Sequence, residues 1–220
     1  MNAPSLPSPR RILEPIDRVS EVLFGLIMVL TFTGSLSVAE AGRDDVRAML
    51  IGALGCNLAW GIIDAILYLM GCMAEKGRNL ATYMAVRAAT DPATARGLIA
   101  GALPPAVAGV LQPAEIESIH LRLMALPAMP TVARLDRDDF RGAAGVFLLV
   151  FLSTFPVAIP FMVMSNARPA MRASNLVAIA LLFVTGMAFG RITGRQPIVV
   201  GLATVVLGAV LVGMTMALGG

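Results

Sequence analysis

The stretch AMLIGALGCNLAWGIIDAILYLMGCMA, Ala48–Ala74, decides the fold: 27 residues with a single charged side chain, Asp64. A run so long and so apolar suits the hydrocarbon of a bilayer, which a helix of about 20 apolar residues crosses. Four more runs of this kind flank it, Val22–Ala39, Gly142–Ala167, Ala173–Gly190 and Gln196–Gly220. All are continuous rather than alternating and are rich in Leu, Ala, Met and Gly, which favours helices over membrane strands. The expected fold is an all-α integral membrane protein of five transmembrane helices, with a helical cytoplasmic insert between helices 2 and 3. Its parts are a cytoplasmic tail (1–21), helices 1 and 2 (22–74), the insert (75–141) and helices 3–5 (142–220).

Composition agrees. Of 220 residues, 57% are hydrophobic and 14% charged, against roughly 25% charged in a soluble domain. The mean hydropathy is +0.81. The net charge is only +3, all but one of the 17 basic residues are Arg, and 5% of residues are aromatic. Such loop arginines with few stacking side chains do not describe a nucleic-acid binder. Cys56 and Cys72 are sixteen residues apart in one run, roughly 24 Å along a helix, so they do not pair.

Basic residues set the expected orientation. With the N-terminus in the cytoplasm, 13 lie inside and 4 outside, so the positive-inside rule places the N-terminus in and the C-terminus out. The proline-rich segment before Val22, with Arg10, Arg11 and Arg18, reads as a retained anchor rather than a removed signal peptide.

Within the insert, punctuation predicts three helices. One continues from the second span through Tyr83 and Arg87 to a Thr90-Asp91-Pro92 boundary. A second runs from about Pro92 to Leu103 and stops at Pro104 and Pro105. The third starts near Pro113 and stops before Pro127, carrying an Ile116, Ile119, Leu123, Met124 stripe that wants a partner or the membrane surface. Asp136, Asp138 and Asp139 then make an acidic start to the third span, favourable to the helix dipole and readable alternatively as a metal site.

Several residues are out of place in hydrocarbon. Asp64, seventeen residues into its run, would stand near the midplane, where an acid costs roughly 2.5 to 3.5 kcal/mol on insertion scales. Such a group marks an ion path or proton relay, or else is a protonated acid in one interhelical hydrogen bond. Glu21 opens the first span after Asp17 and Ser20, as an ion-path acid or an interfacial carboxylate. Pro156 and Pro160 break the third span, freeing carbonyls that could border an ion site or simply kinking it. Among 14 methionines, Met70 and Met73 share a helix with Asp64 and could lend a thioether to iron(II). Glu117 and His120, three apart, could hold a metal or be solvent-exposed. Gly186 and Gly190 suggest close helix packing or dimerisation. No CxxC, HExxH, GxSxG or Walker loop is present, so an enzyme is not expected.

Taken in order, these features resemble the vacuolar iron transporter family. Ser20-Glu21-Val22 is similar to its Ser-Asp-Gly opening, with Glu21 matching the ion-path aspartate. Ala59-Trp60-Gly61-Ile62-Ile63-Asp64-Ala65 is similar to its Ala-Asp/Glu-Gly/Ala-Ile-Ser-Met-Gly helix. Ile159-Pro160 and Thr193-Gly194-Arg195-Gln196-Pro197 are similar to its proline-bearing third span and the approach to its fifth. The resemblance implies a homodimeric carrier in the bacterial inner membrane, moving iron(II) or manganese(II) out of the cytoplasm in exchange for protons. The metal is cargo, and no permanently bound cofactor is implied. Trp60 departs from the family's acid, and Asp64 takes the place of its methionine one turn later, on the same helical face. Only Glu75, Glu115 and Glu117 stand in the insert, where the family clusters glutamates. The alternative is a non-transporting membrane scaffold whose insert docks a partner through the Ile116–Met124 stripe.

Overall fold

Prolines open five of the nine helices among the described residues. In the computed structural model, which describes Leu13 and residues 15–34, 43–126 and 131–217, Pro15, Pro92, Pro105, Pro113 and Pro197 each stand at a first helical position. The amide that proline lacks would have no partner there, and its fixed φ already suits a helix. The elements are α1 (Pro15–Gly34), α2 (Arg43–Ala88), α3 (Pro92–Ala102), α4 (Pro105–Ala108), α5 (Pro113–Ala125), α6 (Arg137–Ser153), α7 (Phe155–Val163), α8 (Ala167–Ile192) and α9 (Pro197–Ala217). Among the described residues there is no strand.

Among the described residues, four helical stretches are long and apolar enough to cross a membrane: Arg47–Ala88, Arg137–Val163, Ala167–Ile192 and Pro197–Met214. They mark a membrane protein. Five crossings were expected. The first coincides with α1 as far as Gly34, and its remainder to Ala39 lies outside the described residues, as do most of the N-terminal tail and residues 218–220. At 46 residues, α2 is more than twice the length a bilayer needs.

The chain divides into two compact units, Met1–Tyr68 with Asp138–Gly220, and Leu69–Arg137. In the first unit Leu26, Val29 and Leu30 of α1 meet Val157 of α7 and Ala178 and Leu182 of α8, and Val205 and Val212 pack against them. The turn from α8 to α9 explains the Thr-Gly-Arg-Gln-Pro segment. Gly194 has φ +69°, a conformation that costs glycine little. The Arg195 amide donates to the Gly190 carbonyl at 2.8 Å and the Thr193 amide to Phe189 at 3.0 Å, so two carbonyls of the last turn of α8 are satisfied before Pro197 starts α9.

Gly186 and Gly190 belong to this hairpin. A Cβ at Gly186 would overlap the Thr204 hydroxyl and lie 2.9 Å from the Gly201 Cα, and one at Gly190 would lie 2.9 Å from the Pro197 Cα. Their spacing therefore serves close packing inside one chain, and the dimer face first suggested by it has no support from these two residues.

The proline break in the third long helix is short. α6 ends at Ser153 and α7 begins at Phe155, with Thr154 between them still at helical angles, φ −73° and ψ −30°. Ser153 Oγ donates to the Val150 carbonyl at 2.7 Å, Thr154 Oγ1 to Phe151 at 2.6 Å and Ser174 Oγ to Val157 at 2.7 Å. Hydroxyls thus supply donors around the break, a common way to satisfy irregular backbone without water.

The second unit has its own small core. Val86 of α2 and Ala95 and Ile99 of α3 are buried, with Ile116, Ile119 and Leu123 of α5 packed on them. The three expected helix boundaries stand where the caps put them. Asp91 accepts from the Ala93 and Thr94 amides at 3.2 and 3.0 Å, and Glu115 accepts from the Gln112 amide at 2.7 Å. The one-turn helix α4 was not expected. Three of the four residues of the α5 stripe pack partly buried within the unit, and Met124 is exposed.

Candidate functional site

Asn57, Gly61, Asp64 and Tyr68 follow one another on α2 at spacings of four, three and four, so they share one face. That face lies on α6. Asn57, 1% exposed, donates from Nδ2 to the Val150 carbonyl at 3.3 Å. A Cβ at Gly61 would lie 3.0 Å from the Phe147 ring, and one at Gly142 would overlap the Tyr68 phenol. The two helices run antiparallel, pairing 57 with 150, 61 with 147 and 68 with 142. Asp64 therefore stands opposite the stretch where Ala143 and Val146 are buried, which offers it no side-chain donor.

Helix α1 closes the third side. A Cβ at Gly25 would overlap the Ser153 hydroxyl and lie 2.8 Å from the Val150 carbonyl. Phe24 meets Trp60 edge to face, with centroids 5.6 Å apart and planes at 76°, a pairing worth about 0.5 to 1.5 kcal/mol. Trp60 and Asp64, one turn apart, both address α1, where Glu21 lies one turn before Gly25. Glu21 stands within electrostatic range of Asp64 and, more weakly, of Asp17.

Both carboxylates are half-buried. Asp64 Oδ2 is the one buried side-chain oxygen or nitrogen among the described residues without a hydrogen-bond partner. Leaving such an atom bare costs free energy, about 1 to 3 kcal/mol for a neutral group and more for a charged one. Two carboxylates within electrostatic range of each other add mutual repulsion. A cation or a proton bound there would relieve both penalties, and oxygen donors of this kind suit hard divalent ions.

The other expected site residues lie elsewhere. Met70 and Met73 are exposed, at 61% and 38%, on the part of α2 that belongs to the second unit. Glu117 and His120 also belong to that unit. Glu117 Oε2 accepts from Arg96 at 2.9 Å, and Oε1 lies 3.5 Å from His120 Nδ1. The guanidinium of Arg96, chiefly, holds the Glu117 carboxyl below its ordinary range. Among the described residues no three His, Cys, Asp or Glu side chains gather as a metal cluster. The acidic start of the third span is divided: Asp136 pairs with Lys76 at 2.8 Å and Asp138 with Arg141 at 2.8 Å.

Asn57 and Ser153 were missed by sequence reasoning. Asn57 carried a signal, because it stands seven residues before Asp64 and hence two turns away on its face. Ser153 carried none, since its place depends on α1 and α6 meeting. No protein-family model matches this chain, and no curated protein matches it.

Proposed function

We propose that this protein is a membrane carrier for a divalent metal, iron(II) or manganese(II), moving it out of the cytoplasm in exchange for protons. The observation that carries the reading is the buried, unpartnered Oδ2 of Asp64 within electrostatic range of Glu21. A carboxylate in a helix of this hydropathy persists where an ion or proton visits it. The two acids would hold the metal in one state and protons in another. Proton entry would then release the metal, and metal entry the protons. Trp60 stands where the family that the sequence resembles has its acid, and Asp64, one turn on, would take over that function from the same face.

The reading includes five crossings, with α1 as the first, the N-terminus and the second unit in the cytoplasm and the C-terminus outside. It also includes a homodimer in a bacterial inner membrane, on the strength of the family resemblance and not of Gly186 and Gly190. The scaffold alternative would have to dock on what the packing leaves open of its stripe, since Ile116, Ile119 and Leu123 are partly buried against the second unit's core and Met124 is exposed.

Uptake into sealed vesicles that hold the purified protein tests the proposal. The parent should move iron(II) or manganese(II) against a proton gradient. Asp64→Asn, if it elutes as one folded species, should fall to the protein-free background, and Glu21→Gln should impair the same step. Parental rates in Asp64→Asn across a pH gradient would refute it.

A further inference from the structure

A groove of about 560 Å³ runs between α1, α6, α7 and α8, within the size range of ligand sites. It has a direction. Leu13 lies against Gly145, and Gly25 against Val150 and Ser153, so α1 and α6 run the same way. Two of the lining residues, Arg18 on α1 and Arg141 on α6, therefore stand toward the same end. Leu148, Leu152, Pro156 and Leu181 continue the lining away from them. Arg141 to Leu152 is eleven residues, about 16 Å along a helix.

Positive charge at one end and an open leucine wall beyond it complement an amphiphile with an anionic head. Both arginines are exposed. Arg141 spends one donor on Asp138 at 2.8 Å, but a guanidinium has five, arranged to grip phosphate oxygens. We propose that this groove binds one anionic phospholipid, its phosphate held by Arg18 and Arg141 and an acyl chain laid along Leu148, Leu152, Pro156 and Leu181. A zwitterionic lipid brings its own cation and fits the basic end less well. The site needs only that the first unit lies in a bilayer. It is independent of metal transport and of Asp64.

Native mass spectrometry of the full chain, released from mild detergent after addition of phosphatidylglycerol or phosphatidylcholine, tests it. One phosphatidylglycerol should stay bound per chain while phosphatidylcholine is lost. Changing Arg18 and Arg141 together to Gln should weaken retention roughly tenfold or more, since each basic residue near an anionic surface contributes about a factor of five. The paired change to Lys should keep much of it. Should the Gln pair fail to fold, Leu152→Trp, which fills the groove and leaves both arginines, should lower retention alone. Equal retention of the two lipids by the parent would overturn the proposal, as would an unchanged preference in the Gln pair. Displacement by inorganic phosphate would reveal an anion site that does not need a lipid chain. Conversion of dimers to monomers by Leu152→Trp, with lipid retention unchanged, would make the groove a seam between copies instead.

Discussion

Glu117 in the second unit and Asp64 in the first are both half-buried carboxylates on helices, and their surroundings differ in one respect that matters. Arg96 and His120 address the two oxygens of Glu117, whereas a buried oxygen of Asp64 has no donor. A carboxylate whose lone pairs are already taken by the protein has little left for a ligand, and one left bare invites a cation or proton. The sequence suggested both as metal residues. The structure separates them by what lies opposite: an arginine on α3 in one case, the small apolar side chains of α6 in the other.

The same contrast extends to packing, and it gives the largest effect. Helices in the first unit approach closely at Gly25, Gly61, Gly142, Gly186, Gly190 and Gly201, while Gly97 and Gly101 in the second meet nothing within 4 Å. Gly186→Ala should therefore destabilise by about 1 to 3 kcal/mol, as overpacking does, whereas Gly97→Ala in α3 should stabilise by roughly 0.5 to 1 kcal/mol. Thermal unfolding in detergent compares the two. Equal shifts would erase the distinction between the units.

A smaller effect separates the carboxylates themselves. Replacing Asp64 with Leu removes an unsatisfied group, so the fold should gain about 1 kcal/mol while transport is lost. Glu117→Leu should act in the opposite sense on both readouts, loosening α3 against α5 while leaving transport near the parent. A stabilised protein that still transports would detach Asp64 from function.

The smallest effect is a pH dependence confined to the second unit. Hydrogen bonds from the Thr94 and Ala93 amides hold the Asp91 carboxyl below its ordinary range, and Arg96 does the same for Glu117. Because both folded values are depressed, the stability they contribute is complete above the ordinary carboxylate range. It is lost as the pH falls through the folded values. Protection of the Ala93 and Thr94 amides from hydrogen exchange, relative to the intrinsic rate at each pH, should thus be high at neutral pH and fall only in acid. In Asp91→Ala it should be low at both, and persistence of the parental protection there would contradict the cap.

Much of the second unit was legible because its boundaries are local chemistry. Asp91 before Pro92, the Pro104-Pro105 pair and Pro113 start and stop helices through their own backbone restrictions, whatever surrounds them. Apolar runs marked the membrane helices for the same reason. What eluded reading depends on partners distant in sequence. Gly186 and Gly190 have the spacing of a dimer face, and only the return of α9 shows that they pack within one hairpin. Glu117 with His120 has a ligand spacing, and nothing in that spacing discloses Arg96, twenty-one residues earlier. Asp64 was singled out by its misplaced charge, but the bare oxygen required the position of α6, and its nearness to Glu21 required α1.

The central claim is that the Glu21 and Asp64 pair, and not the Glu117 and His120 pair, receives the metal. Calorimetric titration of manganese(II) into the purified full chain, with protons released counted by a pH indicator, addresses it directly. The account predicts saturable binding with proton release in the parent and in Glu117→Gln, and loss of both in Asp64→Asn. Binding that survives in Asp64→Asn and disappears in Glu117→Gln would contradict it.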